Sequence, residues 1–301
     1  MTSAAQKSAQ RNRGTMFVED GEIIGVEPWP GDQFIQRIRA PRCAASATAG
    51  SFVHISCDDS LPMRRPLSIM RVGDDWIEIL YKTAGEGLQL LSQKECGNVV
   101  SVLGPIGKPF SLDPARPNAL LIGGGVGIPP MVFLADVLRK SSTWRSFAIL
   151  GSEIPFPFTP QASALAVSGI DDEVCNGMPL LEEWGISSRL TSLQGYAGCF
   201  NGYVTDLADQ WLSSLSDEDL AKVSVFTCGP TPMLKAVADL AARYELPCQV
   251  SLEEFMACAV GGCAGCTVLV NTADGRAMKR VCVDGPVFEA ASVVWETSPR
   301  S

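Results

Sequence analysis

The sequence predicts a multi-domain protein of mixed α+β and α/β class, with an antiparallel β-barrel first, a parallel-sheet domain second and a small cysteine-rich domain last. Three observations predict this order. Short apolar runs separated by Gly and Pro recur over residues 15–113, strand and helix patterns alternate over 114–247, and four of the five cysteines in 248–301 follow one spacing motif. Evenly spaced short strands are typical of a barrel, and strand–helix alternation is typical of a parallel sheet. With 301 residues, the chain can hold two or three domains.

The composition narrows the possible functions. A net charge of −9 argues against binding to nucleic acid or to an anionic membrane surface. No apolar run approaches the roughly 18 residues of a membrane span, and the polar residues 1–14 predict a disordered arm rather than a signal peptide. Most cysteines outside the C-terminal group are scattered singly, which is typical of buried thiols in a reducing compartment. We therefore expect a cytoplasmic protein.

The C-terminal cysteines follow a recognisable spacing. Three lie within nine residues, separated by four and then two residues that are mostly Gly and Ala, and a fourth follows sixteen positions later. They are Cys258, Cys263, Cys266 and Cys282. This is the plant-type ferredoxin spacing, whose thiolates bind a [2Fe–2S] cluster. A structural zinc site and a disulfide framework are the alternatives, although zinc sites usually show paired knuckles and a chain of this length needs no disulfides.

Four strand patterns support the barrel in the first segment. They are Phe34–Ile38, Gly50–Ser56, Trp76–Tyr81 and Val99–Leu103. These patterns are apolar runs or alternations that include β-branched residues, and Gly and Pro separate them. His54, the only histidine, falls within the second pattern. We interpret it as structural, and general acid–base catalysis is the less favoured alternative.

Two motifs of the first segment suit a phosphate-bearing ligand. Arg65 can grip a diphosphate with two donors, Pro66 stiffens the backbone, and Ser68 offers a hydroxyl to a flavin ring nitrogen. Further on, a Gly-x-Gly turn at 85–87 opens a helix predicted over 88–94, and free N–H groups at a helix start bind phosphate. An ordinary strand edge and a plain turn are the alternatives for the two motifs. The order and spacing of the two motifs along the chain favour ligand binding over these alternatives.

The second segment shows the arrangement strand, glycine turn, helix. The strand Asn118–Ile122 runs into a glycine-rich turn, and Pro129 and Pro130 then begin a helix. Such a turn presents backbone N–H groups to a pyrophosphate, as in Rossmann-like nucleotide-binding domains. Ligands of a parallel sheet bind at the carboxyl ends of its strands, where a second turn follows the strand Val223–Thr227. The candidate residues at the two turns are Gly123, Gly124, Gly125, Gly127, Cys228, Gly229 and Pro230.

Glu153 gives a hint about which dinucleotide would bind. It follows the end of the predicted strand 147–150. A carboxylate at that position accepts hydrogen bonds from ribose hydroxyls and repels a 2′-phosphate, which favours NAD over NADP. A solvated loop glutamate is the alternative.

The last segment carries the cysteine motif beside a predicted hairpin. Strand patterns at Thr267–Val270 and Arg280–Val283 flank the pair Asp274-Gly275, which is typical of a hairpin turn. We therefore expect Cys282 on a strand that returns toward the cysteine loop. Backbone N–H groups of the small loop residues would hydrogen-bond the sulfurs.

Taken together, the motifs resemble one family. Arg65–Ser68, the two glycine turns, Cys228–Met233, the four cysteines and Asp284–Phe288 occur in the order found in electron-transfer subunits of class 1B dihydroorotate dehydrogenases, which are ferredoxin–NADP reductase-like flavoproteins. The resemblance implies an FAD-binding barrel, an NAD-binding α/β domain and a [2Fe–2S] domain. The residues that it assigns to FAD are Arg65, Pro66, Leu67, Ser68, Leu80, Tyr81, Lys82, Gly87 and Leu88.

The resemblance also implies a reaction and a partner. Electrons would pass from dihydroorotate through FMN on a separate catalytic subunit, the cluster and FAD to NAD, within a heterotetramer, and no residue here needs to act as acid or base. Cys228 would shape the nicotinamide geometry, or it is simply a small buried residue. Two residues depart from the family pattern: Leu88 stands where Thr is usual, and Ala259 where Gly is usual.

Two further functions remain open from the sequence. The same scaffold can serve another redox partner, such as a ferredoxin, a hydrogenase or a glutamate-synthase-like subunit. The second alternative, from a different functional class, is a non-catalytic sensor or assembly module in which the cysteines bind zinc as a zinc knuckle. Flavin and iron content would separate the electron-transfer functions from the zinc module.

Overall fold

The computed structural model describes residues 15–295, so the arm expected over residues 1–14 lies outside the described residues. The first part of the chain is a closed barrel of six antiparallel strands. The strands are β1 (Phe17–Trp29), β2 (Gln33–Arg39), β3 (Phe52–Ser56), β4 (Arg65–Val72), β5 (Trp76–Lys82) and β6 (Val99–Ile106). Around the barrel their order is β1–β2–β5–β4–β3–β6. Helix α1 (Pro41–Ser46) follows β2, and helix α2 (Gly85–Ser92) follows β5.

The barrel forms because its strands bury β-branched side chains in one shared interior. These side chains are fully or almost fully buried, and they pack in a single cluster: Ile23, Ile38, Val53, Ile55, Ile69, Ile77, Ile79, Val100 and Val102. Branched side chains pack well on a pleated surface, which is why most of these residues gave the strand signal in the sequence. Ile23 of β1 and Ile69 of β4 lie outside the four predicted strand patterns. The predicted barrel is confirmed.

The second part is a six-stranded sheet. Its strands are β7 (Asn118–Gly124), β8 (Arg145–Gly151), β11 (Ser187–Thr191), β12 (Val223–Cys228), β13 (Cys248–Ser251) and β16 (Val287–Glu289), and a short pair, β9 (Gln161–Ala162) and β10 (Asn176–Gly177), lies apart from it. The order is β11–β8–β7–β12–β13–β16, and only β16 runs antiparallel to its neighbour. The helices are α3 (Ile128–Leu138), α4 (Pro179–Glu183), α5 (Val204–Ser213), α6 (Asp217–Leu220) and α7 (Thr231–Arg243). The predicted parallel sheet is confirmed.

Helix α3 joins the sheet to the barrel. It packs against both β7 and β4, and all but one of its eleven residues are buried. A helix that is apolar nearly all round is buried between layers rather than lying on a surface. The glycine turn that starts this helix, 125–127, also contacts β5 of the barrel.

The C-terminal part departs from the sequence prediction at one point. The expected hairpin is present as β14 (Thr267–Thr272) and β15 (Gly275–Arg280). The expectation that Cys282 lies on a strand is wrong, because Cys282 lies on a helical turn, α8 (Val281–Asp284). The Asp284 carboxylate accepts a hydrogen bond of 2.9 Å from the backbone N–H of Arg280, and this contact closes the turn.

The cysteine segment is anchored at both ends. It leaves the six-stranded sheet after β13 and returns to it at β16, where Val250 pairs with Phe288. The domain boundaries after residues 113 and 247 stay predictions. Among residues 15–295, no helix is both long and apolar enough to cross a bilayer.

Candidate functional site

The two predicted flavin segments, residues 65–68 of β4 and 80–82 of β5, lie where these neighbouring strands are no longer paired with each other. The ladder between these strands involves only residues 69–72 of β4. The segments 65–68 and 80–82 lie beyond it, so their facing backbone edges take no part in that ladder. Their outer edges pair with β3 and β2, which hold both segments in place. Free backbone groups between two fixed strands can hydrogen-bond a flat polar ring.

Arg65 reaches from β4 to the first turn of α2. A Cβ placed on Gly87 would lie 3.0 Å from the Cζ, Nε and Nη2 atoms of Arg65, so the guanidinium group lies against this glycine. Its Nη1 atom donates to the carbonyl oxygen of Met63 at 2.8 Å, which fixes its orientation. The first N–H groups of a helix have no intrahelical partner. A fixed cation and free N–H groups therefore share one position, which suits a diphosphate.

The Tyr81 hydroxyl is a buried polar atom without a partner. The side chain is 1% exposed, stacks on Phe34 at 5.8 Å between ring centroids, and its oxygen makes no hydrogen bond to the described residues. Burial raises the pKa of this hydroxyl well above its usual value. Buried hydroxyls nearly always have a hydrogen-bond partner, so this one is suited to a ligand group.

The other predicted flavin residues differ in how accessible they are. Leu67, Leu80 and Gly87 are buried, Pro66, Ser68 and Leu88 are half-buried, and Lys82 is exposed. Leu88 is the fourth residue of α2, directly after the residues whose N–H groups are free at the helix start.

The two predicted dinucleotide turns meet at the carboxyl edge of the six-stranded sheet. Gly123 at the end of β7 pairs with Cys228 at the end of β12. A Cβ on Gly127 would collide with the carbonyl group of Cys228, so only glycine lets the two turns approach this closely. Gly125 has φ +55° and open space around it, which leaves its backbone accessible to a ligand.

Met233 packs against two glycines at this edge of the sheet, and the sequence did not indicate it as a binding residue. Its sulfur lies 2.4 Å from the position that a Cβ on Gly124 would take, and its Cε atom lies 2.5 Å from the corresponding position on Gly229. The glycines at these two positions thus make room for a packed side chain as well as for a ligand. Pro230 is exposed just beyond, at the start of α7.

Glu153 lies on the same edge of the sheet. It is exposed two residues after the end of β8, and Gly151 of β8 pairs with Gly124 of β7. The carboxylate therefore follows a strand directly beside the glycine turn, as predicted. Its role in ligand choice stays a prediction.

The flavin segments and the dinucleotide turns are brought together. The turn 125–127 contacts β5, which carries the segment 80–82. Helix α3 continues from that turn onto β4, which carries the segment 65–68. The glycine turn of the sheet therefore lies against one strand that carries a flavin segment, and the helix that follows it packs on the other.

The four cysteines lie on a loop and on α8. Cys266 and Cys282 are 2% and 1% exposed, Cys258 is half-buried, and Cys263 is exposed. Backbone N–H groups point at the sulfurs: Cys263 N–H donates to Cys258 Sγ at 3.4 Å. Ala259 adopts φ +54° and is buried, so alanine tolerates the left-handed backbone for which the family usually has glycine.

The cysteine thiols differ in acidity. Partial burial opposes ionisation of Cys258, but N–H groups of Cys263, Val260 and Gly262 outweigh it and lower the pKa of this thiol to about 7. Burial, together with the neighbouring Cys266, raises the pKa of Cys282 to about 12. Thiols placed this close together ionise jointly only when a cation compensates their charge, which is what a metal centre provides.

Arg280 is a second residue that the sequence analysis did not select. Its Nη1 atom donates to the Gly261 carbonyl oxygen at 2.8 Å, and its Nε atom donates to the Asp284 carboxylate at 3.3 Å. Val281 N–H also donates to the Cys266 carbonyl oxygen at 2.8 Å. These contacts hold the loop of the first three cysteines against α8, which carries the fourth.

No group of three or more His, Cys, Asp or Glu side chains within residues 15–295 is arranged around a single metal ion. A [2Fe–2S] cluster takes two thiolates on each of its irons, so its four ligands need not converge on one point. The donor set, the N–H groups aimed at sulfur and the small residues between the cysteines fit such a cluster.

Comparison with known proteins identifies the family. Residues 253–294 match the family model of the iron-sulfur cluster binding domain of dihydroorotate dehydrogenase B. The dihydroorotate dehydrogenase B (NAD(+)) electron transfer subunit of Caldanaerobacter subterraneus is 32% identical over 82% of this chain and 87% of its own length. This chain belongs to that family. The family's subunit from Desulforamulus reducens is 30% identical and covers 93% of this chain and 99% of its own.

Solved structures support the same fold. The structure of an NADH-dependent reduced ferredoxin-NADP oxidoreductase superposes with a TM-score of 0.74 at 26% identity, and the match covers 91% of this chain and 90% of the other. A ferredoxin NADP⁺ reductase from Neisseria gonorrhoeae superposes with a TM-score of 0.57 over 75% of this chain, and at 15% identity this shows the fold alone. The chain therefore has the ferredoxin reductase-like fold.

Proposed function

We propose that this chain is the electron-transfer subunit of a cytoplasmic dihydroorotate dehydrogenase, and that it passes electrons between the catalytic subunit and NAD by means of a [2Fe–2S] cluster and FAD. Family membership supports the activity. The contact between the turn 125–127 and β5 is the observation in this chain that carries the proposal. Two rings that exchange a hydride must be held in contact, and this contact puts the dinucleotide turn against the flavin segment.

The FAD site would be formed by the barrel and α2. Arg65 and the first turn of α2 would bind the diphosphate, and the free backbone edges at 65–68 and 80–82 would bind the ring. The unpartnered hydroxyl of Tyr81 would donate to a ligand oxygen. When bound, FAD and the cluster supply hydride and single-electron chemistry, and the protein supplies their placement.

The NAD site would be formed by the sheet edge. The turns at 123–127 and 228–230 would present backbone N–H groups to the pyrophosphate. Glu153 would accept from the ribose hydroxyls. Cys228 is buried at the innermost point of this edge, where burial raises the pKa of its thiol well above the usual value. It is therefore neutral and shapes the site by its size.

The cluster site would be formed by Cys258, Cys263, Cys266 and Cys282. Its loop includes Phe255, a large apolar side chain that is 94% exposed three residues before the first cysteine. Exposed aromatic residues of this kind are typical of protein interfaces. We propose that the catalytic subunit binds here, so that electrons enter or leave at the cluster.

Co-expression with the FMN-binding catalytic subunit of the same genome tests the proposal. The two subunits should purify as one complex, and dihydroorotate should reduce NAD⁺ only when both are present. Cys266→Ser should abolish this reaction while NADH still reduces the flavin. The proposal is contradicted if the fully loaded chain oxidises NADH with artificial acceptors but neither binds the catalytic subunit nor supports dihydroorotate-dependent reduction of NAD⁺.

A ferredoxin is the second candidate partner. The solved oxidoreductase at 26% identity is, by its description, a reduced ferredoxin-NADP oxidoreductase, and it matches this chain over 91% of its length. NADH-driven reduction of ferredoxin by the same preparation would favour this alternative, provided that dihydroorotate-dependent activity is absent.

A further inference from the structure

The segment 285–287 joins the cysteine domain to the barrel. It follows α8, the helical turn that carries Cys282. The backbone N–H of Lys108, two residues after the end of β6, donates to the Gly285 carbonyl oxygen at 2.7 Å. Lys108 also forms an isolated β-bridge with Pro286. The chain that leaves the turn with the fourth cysteine is therefore bonded directly to the end of a barrel strand.

Two glycines of the barrel form the surface on which this segment lies. A Cβ on Gly107 would collide with the Cδ atom of Pro286, and a Cβ on Gly50 would lie 3.0 Å from Cγ2 of Val287. Both glycines have positive φ angles, +103° and +101°, which residues with a side chain rarely adopt. The absence of two side chains thus lets the segment approach the barrel, and we refer to Gly50 and Gly107 as the glycine socket.

The same segment is bonded to the strand that leads into the other three cysteines. The carbonyl oxygen of Pro286 accepts from the Leu252 N–H at 2.9 Å. Val287 pairs with Ser251, the last residue of β13, and the chain continues from there to Cys258. Both connections of the cysteine domain to the rest of the chain therefore meet at the segment that lies on the glycine socket.

Apolar packing extends this contact to the buried cysteines. Phe52 and Ile106 of the barrel are 5% and 1% exposed, and they belong to the same packed group of side chains as Cys266 and Cys282. The Cε1 atom of Phe52 lies 3.4 Å from the Cβ position of Gly107, so this ring borders the socket. Close-packed interiors transmit strain, so a displacement at the socket is passed on to the cysteines.

We infer that Gly107 is a positioning residue for electron transfer: because it lacks a side chain, Pro286 can lie against the barrel, and this contact fixes the cysteines relative to the strands proposed to bind FAD. Phe52, beside the socket, pairs with Ser68 of the flavin segment on β4. The inference rests on the proposed function, because it concerns the placement of the iron–sulfur cluster relative to the flavin. Reaction between two held groups depends steeply on their placement.

Gly107→Ala and Gly97→Ala separate this contact from backbone strain. Gly97 also has a positive φ, +90°, but no atom lies within 4 Å of its Cβ position. It precedes β6, whereas Gly107 follows that strand, so the two sites lie at opposite ends of the barrel. Both variants place alanine in a strained backbone conformation, and only Gly107→Ala also displaces Pro286.

Two readouts should change in Gly107→Ala. Amide hydrogen exchange of residues 281–288 in the loaded chain should be about tenfold faster, since overpacking shifts an opening equilibrium by about 1.4 kcal/mol. Transfer from reduced flavin to the iron–sulfur cluster should slow at least about tenfold, because a displacement of about 1 Å is enough for such a loss. Gly97→Ala should keep both native values to within about twofold, as expected for a distant site without shared partners.

The rate of flavin reduction by NADH is the internal control and should be native in both variants, which a general loss of structure would not allow. Native exchange and transfer in Gly107→Ala would overturn the inference. Equal losses in both variants would also overturn it, because backbone strain rather than the contact with Pro286 would then be the cause. A native chain that holds neither FAD nor an iron–sulfur cluster would instead contradict the proposed function.

A measurement on the native chain decides the question if Gly107→Ala does not fold. Lys108 is exposed, so its N–H would exchange rapidly with water if no acceptor held it. Because this N–H donates to the Gly285 carbonyl oxygen, we expect it to exchange slowly in the loaded chain. Exchange at the rate of an unprotected loop amide would show that the segment 285–287 leaves the barrel, and this result would overturn the inference.

Discussion

The guanidinium group of Arg65 lies against the backbone of Gly87, with three of its atoms 3.0 Å from the position that a Cβ of residue 87 would take. The strand that carries Arg65 and the helix that starts beside Gly87 are separated by the whole of β5. Where the strand and the helix meet, the positive charge of Arg65 lies beside the free N–H groups at the helix start. Neither residue provides this combination alone. We propose that this pair forms the core of the FAD site.

Arg65→Gln should weaken FAD binding. A hydrogen bond to a charged group contributes about 1.5–3 kcal/mol, so the dissociation constant for FAD should rise at least about tenfold. Flavin fluorescence during titration of the apoprotein measures it. Arg71→Gln, on the same strand but paired with Glu78, is the control and should bind FAD normally. If the Arg65 variant bound FAD as tightly as the native chain, Arg65 would not be a diphosphate-binding residue.

Cys266→Ser should destroy the cluster and leave the flavin. The thiolate of Cys266 is buried beside Cys282, and a serine hydroxyl is a much poorer iron ligand. Iron and acid-labile sulfide should fall to background, while FAD content and NADH-driven flavin reduction persist. Cys96→Ser changes an exposed free thiol and should behave as the native chain. Full iron content in the Cys266 variant would contradict the ligand assignment.

The barrel and the sheet could be predicted because their signals are local. Branched residues such as Ile77 and Ile79 alternate along a strand, and a buried strand followed by glycines marks the turn after β7. Cys258, Cys263 and Cys266 are likewise recognisable from spacing alone. In each case the structure depends on residues only a few positions apart.

The parts that could not be predicted depend on distant contacts. Val281 and Val283 have high strand propensity, and the helical turn at Cys282 forms instead because Asp284 accepts from the Arg280 N–H. No pattern indicated that β16 would return to the large sheet.

Glu153→Arg should raise the use of NADPH relative to NADH. The change removes a carboxylate that repels a 2′-phosphate and adds a cation that attracts it. Exposed charge pairs contribute up to about 1 kcal/mol, so the ratio of kcat/KM values should shift by up to about fivefold. Glu183→Arg makes the same charge change at an exposed site on α4 and should leave the ratio native. An unchanged ratio in the Glu153 variant would exclude this role.

Phe255→Ser should weaken binding of the catalytic subunit. A buried aromatic anchor in an interface contributes about 2 kcal/mol, so the dissociation constant of the complex should rise at least about tenfold. Reduction of the flavin by NADH in the isolated chain should not change. Val18→Ser removes another exposed apolar side chain, on β1, and serves as the control. Native affinity in the Phe255 variant would place the interface elsewhere.

The most direct test of the central claim is cofactor analysis of the chain purified without oxygen, followed by titration with NADH. We expect one FAD and about two irons and two labile sulfides per chain, and we expect NADH to bleach both the flavin and the cluster absorption. A colourless protein that contains zinc, or a flavoprotein whose iron is absent after reconstitution, would contradict the account.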